Sequence, residues 1–248
     1  LVGMSLCAQA IKLQHALELL ETQTLNGFGE YMKDLVAQAK RGQSKGVVKL
    51  VSRPEFAAAL EKSNALLAEN VEHPKIKKVM EIVGREMEEN TNSKIIVFAQ
   101  FRNTASAISR ELNSIPEVKS KIFVGQAIKK GTGLSQKEQR EIISEFSSGE
   151  INVLCATCIG EEGLDIPEVN AVVFYEPVAS AIRTIQRSGR TARLSKGKIV
   201  VLMTKKTRDE AYYYASKRKE MRMHEAIHSI KKGFVDGKKA ADEMQKKL

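Results

Sequence analysis

Much of what this 248-residue sequence can do is bounded by what it lacks. Its cysteines number three, Cys7, Cys155 and Cys158, too few for a disulfide framework and suited to a reducing compartment. No apolar run approaches the roughly 20 residues that span a bilayer, and the opening LVGMSL carries no recognisable targeting signal. An intracellular setting is therefore expected, cytoplasmic in an archaeal source and nuclear in a eukaryotic one. No internal repeat is visible. Cys155 and Cys158 have the spacing of a redox or half-zinc pair. Cys155 ends an apolar run, however, and no second pair follows, so a structural role is expected. His73, His224 and His228 are too scattered, with too few acidic or cysteine companions, for a metal site. The most informative absences are of a GxxxxGK[ST] loop and of a DExH-like segment behind an apolar strand. Without them the chain has no phosphate cradle and no carboxylate to position magnesium. Residues 125–133, GQAIKKGTG, have neither the spacing nor the terminal Lys-Ser/Thr of such a cradle and read as a loop that could touch a nucleic-acid backbone.

What is present is basic charge. Forty Lys and Arg against thirty Asp and Glu leave a formal charge of +10, which favours a polyanionic partner. At 42% hydrophobic residues the chain can bury one large domain or two small ones. The first 72 residues read as helical. Leu6, Ala10, Leu13, Leu17 and Leu20 recur at helical spacing, and Asn26, Gly27 and Gly29 are expected to break that helix. A second helix is expected from about residue 30 to 39, with Tyr31, Leu35 and Ala39 on one face. A basic break follows at 42–46, then a helix opened by Pro54 and running to about residue 69.

His73-Pro74 marks a boundary. Behind it, residues 75–89 read as an amphipathic helix with Ile76, Val79, Met80 and Val83 inward. From there, short β-branched runs at 94–99, 119–124, 151–156, 171–175 and 198–203 alternate with helical patterns at 104–114, 135–146 and 179–188. That order predicts an α/β fold with a mostly parallel sheet covered by helices on both faces. A long charged helix is expected over 207–231, with Ala211, Tyr214, Ala215 and Met221 on its less polar side. The lysine-rich end beyond it is expected to fray as a tail or linker. The expected divisions are 1–72, 73–232 and 233–248.

Ligands of parallel sheets gather beyond the C-terminal strand ends. Polar residues there include Gln100 and Arg102 after the first strand, Gly125 and Gln126 after the second, Thr157 after the third, and Glu176 after the fourth. Behind Thr157 lie Gly163 and Asp165. Asp165 suits a ribose hydroxyl or a water network, and equally a helix cap or an ion pair with a nearby arginine. Arg187, Arg190 and Arg193 are spaced by three, forming a basic stripe if their helix persists. Their guanidinium forks match phosphate oxygens in a way lysine does not, although a surface salt-bridge stripe would show the same spacing.

In combination and order, these segments resemble the second RecA-like domain of superfamily 2 helicases, in particular the Hef/FANCM/Mph1 branch-point DNA translocases. VFAQFR at 97–102 resembles motif IV. FVGQA at 123–127 with GLSQKEQ at 133–139 resembles an intervening signature, TCIGEEGLDIP at 157–167 resembles motif V, and QRSGRTAR at 186–193 resembles motif VI. The resemblance implies a C-terminal motor half, with residues 1–72 as the tail of a helical insertion between two motor domains. It implies ATP and Mg²⁺ as cofactors of the complete two-domain motor, a missing N-terminal RecA-like domain as partner, and forked or branched DNA as substrate. Arg190 and Arg193 would reach the γ-phosphate, with Arg193 the better finger candidate, and Gln186 would position nucleotide or water. Gly163 would permit closure, Asp165 would contact ribose or support motif VI, and Gln100, Arg102 and Thr157 would lie nearer the tracked strand. Gly125, Gln126, Lys129 and Lys130 are backbone-contact candidates. Ala192 stands where relatives commonly carry Gly, and Ser188 where they carry a larger basic residue. Neither removes a proposed phosphate ligand. Alternatives are an RNA-directed helicase of the innate-sensor or Dicer-like branch, and a nucleic-acid-binding module without motor activity. Alone, the chain is expected to be inactive as an ATPase.

Overall fold

A computed structural model describes residues 2–125, 133–157, 166–178 and 197–245. Four helices come first: α1 (Val2–Thr22), α2 (Leu25–Lys40), α3 (Lys45–Val51) and α4 (Pro54–Ala68). They enclose a core of Ala16, Leu19, Leu25, Phe28, Met32, Leu35, Val47, Leu50 and Phe56. The expected break at Asn26–Gly29 is not there. Helix α1 stops at Thr22, and Thr24 caps α2, its hydroxyl accepting the Gly27 amide at 3.0 Å. The glycines serve close approach instead. A Cβ at Gly27 would lie 3.0 Å from the capping hydroxyl, and one at Gly29 would lie 3.2 Å from Leu67 Cδ1 on α4. Gly42 does break the chain, with φ of 64°. Gly46, however, lies inside α3, a helix the sequence pattern did not suggest, where a Cβ would meet the Ser5 carbonyl of α1 at 3.3 Å.

A second correction concerns which face of α1 is inside. Leu6, Leu13, Leu17 and Leu20 are exposed, from 44% to 56%. The buried face carries Gln9, Ala16, Leu19 and Thr22. Helical spacing identifies a stripe but does not say which stripe meets the neighbours, and here the smaller, more polar one lets α2 and α3 approach.

Helix α5 (Pro74–Glu89) opens the second region, its first turn set by Pro74 and by His73 Nδ1 accepting the Lys75 amide at 3.2 Å. Then come β1 (Ile95–Phe98), α6 (Arg102–Leu112), β2 (Ser120–Phe123), α7 (Gln136–Ser148), β3 (Val153–Ala156), β4 (Ala171–Phe174), β5 (Lys198–Val201) and α8 (Arg208–Gln245). Ser135 and Glu138 form a reciprocal capping box at the start of α7, and Gly149 ends it with φ of 84°. The five strands are parallel in the order β2-β3-β1-β4-β5.

Strand residues alternate between two cores. Ile95, Val97, Val153, Cys155, Val173 and Tyr175 pack with Ile76, Val79 and Val83 of α5 and Ile108 and Leu112 of α6. Ile96, Phe98, Leu154, Val172 and Phe174 face Ile142 and Phe146 of α7. Each such side chain stabilises the fold by about 1.5–3 kcal/mol through burial. The result is the expected α/β architecture, a parallel RecA-like sheet flanked by helices behind a helical segment. Cys155 is fully buried, with its Sγ 3.3 Å from Ser120 Oγ and its thiol pushed up to about 12 by burial. That fits a structural residue; Cys158 lies outside the described residues. Helix α8 continues to Gln245, past the expected helix end at residue 231. Its expected apolar side is not its buried one: Tyr214 and Met221 are exposed, whereas Asp209 and Ser216 are buried. The expected helix at 179–188 lies outside the described residues. No helix among them is long and apolar enough to cross a membrane.

Candidate functional site

The registers bring all five strand ends level, Phe98 beside Ala156 and Phe174, Phe123 beside Ala156, and Phe174 beside Val201. Gln100, Gly125, Thr157 and Glu176 therefore share one edge of the sheet. Gln100 is exposed, while its amide donates to Glu176 Oε1. Arg102 opens α6, and its Nη2 donates to the Gly125 carbonyl at 3.1 Å, tying the ends of β1 and β2 together. Thr157 is buried and donates its amide to the Phe123 carbonyl at 3.1 Å. Four of the sequence candidates are thus neighbours. Gln126, Lys129, Lys130, Gly163, Asp165, Gln186, Arg190 and Arg193 lie outside the described residues.

A cleft of about 610 Å³ opens between the helical bundle and the start of α6. His15, Tyr31, Asp34, Phe101, Arg102 and Asn103 are among its walls. His15 meets Tyr31 edge-on, with ring centroids 4.8 Å apart, and Phe101 at 6.0 Å. Burial, then the Asp34 carboxylate, raises the Tyr31 hydroxyl pKa. The α6 N-cap, Phe101, has no side chain satisfying the first-turn amides. Those donors point their partial positive charge toward this side of the sheet.

Behind the edge lies a buried polar cluster that sequence inspection did not find. Lys75 Nζ pairs with Asp209 Oδ2 at 2.8 Å, both side chains being 7% exposed or less, and sits 4.5 Å from the Tyr175 ring centroid. Burial lowers the Lys75 pKa, with Asp209 opposing. Glu176 is buried between Gln100 and Gln23, whose Nε2 donates to Glu176 Oε2 at 3.3 Å. Burial raises its carboxyl to about 7, against the pull of Lys75 and of both donors. Burial likewise lowers the imidazole of His73, whose Nε2 lies 2.9 Å from the Glu21 carbonyl. Glu176 was visible as a polar residue ending a strand. Nothing local marks Gln23, Lys75 or Asp209, because the partners that hold them together are 81 to 153 residues away. Among the described residues no cluster of His, Cys, Asp and Glu is arranged to hold a metal.

Known proteins resemble this chain in sequence and fold. The family model for the helicase conserved C-terminal domain matches residues 74–195, and that for the helical bundle of ATP-dependent RNA helicases matches residues 4–72. A Methanocaldococcus jannaschii protein, whose name assigns it to ATP-dependent RNA helicases, is 42% identical over 92% of this chain and 28% of its own length. The Schizosaccharomyces pombe ATP-dependent DNA helicase fml1 is 33% identical over 90% of this chain and 27% of its own. The crystal structure of the Pyrococcus furiosus Hef helicase domain superposes with a TM-score of 0.67 at 48% identity, covering 84% of this chain and 42% of that one. The chain thus spans under a third of the curated relatives' length, and its kinship to ATP-dependent helicases gives it enzymatic potential as part of such a motor. The chain belongs to the Hef/FANCM/Mph1-like family of superfamily 2 helicases, as their C-terminal RecA-like domain with its helical segment.

Proposed function

We propose that this chain is the C-terminal motor half of an ATP-dependent DNA translocase that acts on forked or branched DNA in repair. In this reading, residues 1–72 are the tail of the insertion between motor domains, 73–232 the second motor domain, and 233–248 a basic linker. The observation that carries it is the convergence of Gln100, Arg102, Gly125 and Thr157 on one sheet edge. These residues stand in the order of the helicase motifs, and the chain is 48% identical to the Hef helicase domain.

The donor set fits one side of a polyphosphate: guanidinium groups of Arg190 and Arg193, the Gln186 amide, and the Asp165 carboxylate for a ribose hydroxyl. Carboxylates for Mg²⁺ and a phosphate loop would come from an N-terminal RecA-like domain. Bound ATP with Mg²⁺ supplies the phosphoanhydride whose cleavage drives the cycle. Arg193, with Arg190, stabilises charge developing on the γ-phosphate, Gln186 orients water, and Gly163 lets the backbone close. Gln100, Arg102, Gly125, Gln126, Lys129, Lys130 and Thr157 grip the nucleic-acid backbone, aided by the net positive charge. The isolated 248 residues hydrolyse no ATP.

The test is the ATPase rate of the full-length protein on forked and linear DNA, with R193A beside wild type. Stimulation by forks and a loss of about 10³-fold in R193A are expected. Fork-insensitive hydrolysis, or an active R193A, overturns the reading. An RNA-directed motor is a second reading, favoured by the name of the 42%-identical relative. Affinity for forked DNA against double-stranded RNA at one fixed salt concentration separates the two. A protein that binds nucleic acid but shows no stimulated ATPase is a binding module only.

A further inference from the structure

The strand order sets a crevice between β1 and β4. The chain leaves β1 toward β2 on one side and leaves β4 toward β5 on the other. In open parallel sheets this is where ligands sit. Here a residue from the helical bundle reaches in. Gln23, in the turn between α1 and α2, is 2% exposed. Its Nε2 donates to Glu176 Oε2 at 3.3 Å, its Oε1 accepts from Thr104 Oγ1 at 2.9 Å, and its main-chain carbonyl accepts from Tyr175 Oη at 3.4 Å. The other Glu176 oxygen accepts the Gln100 amide. One bundle residue thus holds the end of β1, the first turn of α6 and the end of β4 together.

Around it, the two regions are joined by polar contacts. Arg208 pairs with Glu18 of α1 at 2.9 Å, and His73 Nε2 lies 2.9 Å from the Glu21 carbonyl. Among the described residues, Phe101 is the residue of the sheet region that packs on the bundle's apolar core. Hydrogen bonds are lost over a fraction of an ångström and a few tens of degrees, whereas apolar surfaces slide. A joint built this way transmits small displacements. Its far side is the candidate nucleic-acid segment, Gln100 to Arg102, and the chain that runs from Glu176 toward Gln186, Arg190 and Arg193.

We propose that Gln23, acting through Glu176, is a positioning residue that couples the helical bundle to the motor edge, so that the position of the bundle sets how far nucleic acid at that edge changes the rate of ATP turnover. This rests on the motor reading above. The full-length protein is assayed as wild type, Q23A, Q23E and Q23E/E176Q, each well below its own melting temperature, with ATPase measured against increasing forked DNA. Q23A lowers the ratio of DNA-stimulated to DNA-free kcat by about fivefold. Q23E, which sets a second carboxylate against Glu176, lowers it at least as far. The exchanged pair restores it, because a glutamine at 176 still accepts the Gln100 amide and donates to the new carboxylate, while Thr104 keeps its acceptor. Faster amide exchange at Gln100 in Q23A, returning to wild-type rate in the exchanged pair, accompanies the loss. A lower melting temperature with an unchanged stimulation ratio in Q23A and Q23E makes Gln23 a purely structural contact and overturns the proposal. A wild type that no nucleic acid stimulates overturns the motor reading and the coupling together. A stimulated wild type with wild-type ratios in the variants overturns the coupling alone.

Discussion

The sheet region and the helical bundle solve the packing problem differently. In the sheet, all four residues of β1, β3 and β4 are buried, and helices cover both faces with large apolar side chains. In the bundle, helices approach over Gly29 and Gly46, a single core forms, and four leucines of α1 stay exposed. The sheet is therefore held mainly by non-directional burial that tolerates small shifts. The bundle is tied to it by buried polar contacts that do not. A region joined in that manner can report its own position to its neighbour, which a uniformly greasy interface would do poorly.

The largest loss is expected from Asp209→Ala, within the sheet region. It leaves the Lys75 ammonium buried without its partner, and should cost about 3–5 kcal/mol, seen as a lowered urea midpoint. Within the bundle, Leu35→Ala removes a side chain that is 0% exposed and should cost about 3 kcal/mol. Leu13→Ala, on a residue 50% exposed, should change stability by no more than about 0.5 kcal/mol in the same titration. A larger loss at Leu13 would mean that the exposed stripe is covered in solution.

Glu176 gives the joint a pH signature. Burial holds its carboxyl near 7, against 4.5 for the free side chain. Between those values the folded protein keeps a proton that the unfolded chain has released. Its stabilising contribution is full below the lower value and is lost as pH rises through about 7. Urea midpoints at about pH 5 and about pH 7 should differ less in E176Q than in wild type, because the amide does not titrate. An undiminished difference would assign the slope to other groups.

The smallest effects separate two glycines. A Cβ on Gly84 in α5 meets nothing within 4 Å, so Gly84→Ala should raise stability by about 0.5–1 kcal/mol through helix propensity. Gly46→Ala gains the same propensity but meets the Ser5 carbonyl at 3.3 Å. It should end about 1 kcal/mol less stable in thermal melts, since helix backbone does not yield as a side chain would.

Legibility followed the same divide. The strands were readable because β1, β3 and β4 are short β-branched runs whose burial on two faces leaves no polar alternation to confuse them. The α7 start was readable from Ser135 and Glu138, whose bonds are local. In the bundle, glycine marks close approach more than punctuation. Gly27 and Gly29 are helical, and the break falls at Gln23 and Thr24, where the N-cap preference of Thr24 was the one local signal. Of the four candidate residues within the described chain, Gln100, Gly125 and Thr157 follow strand ends and Arg102 opens α6. Their mutual bonds, such as Arg102 to Gly125, were not foreseeable from spacing.

By itself, then, the sequence determined the order of described helices and strands from α5 to β5, the parallel two-faced sheet, the order of motifs and the basic charge. All of these follow from local pattern and composition. Tertiary structure alone decided which stripe of α1 faces inward, that Lys75 and Asp209 meet, and that Gln23 enters the crevice between β1 and β4. The first depends on how α2 and α3 dock and the others on partners 81 to 153 residues away, and an amide or a carboxylate carries no local mark of whether water or a distant donor will satisfy it.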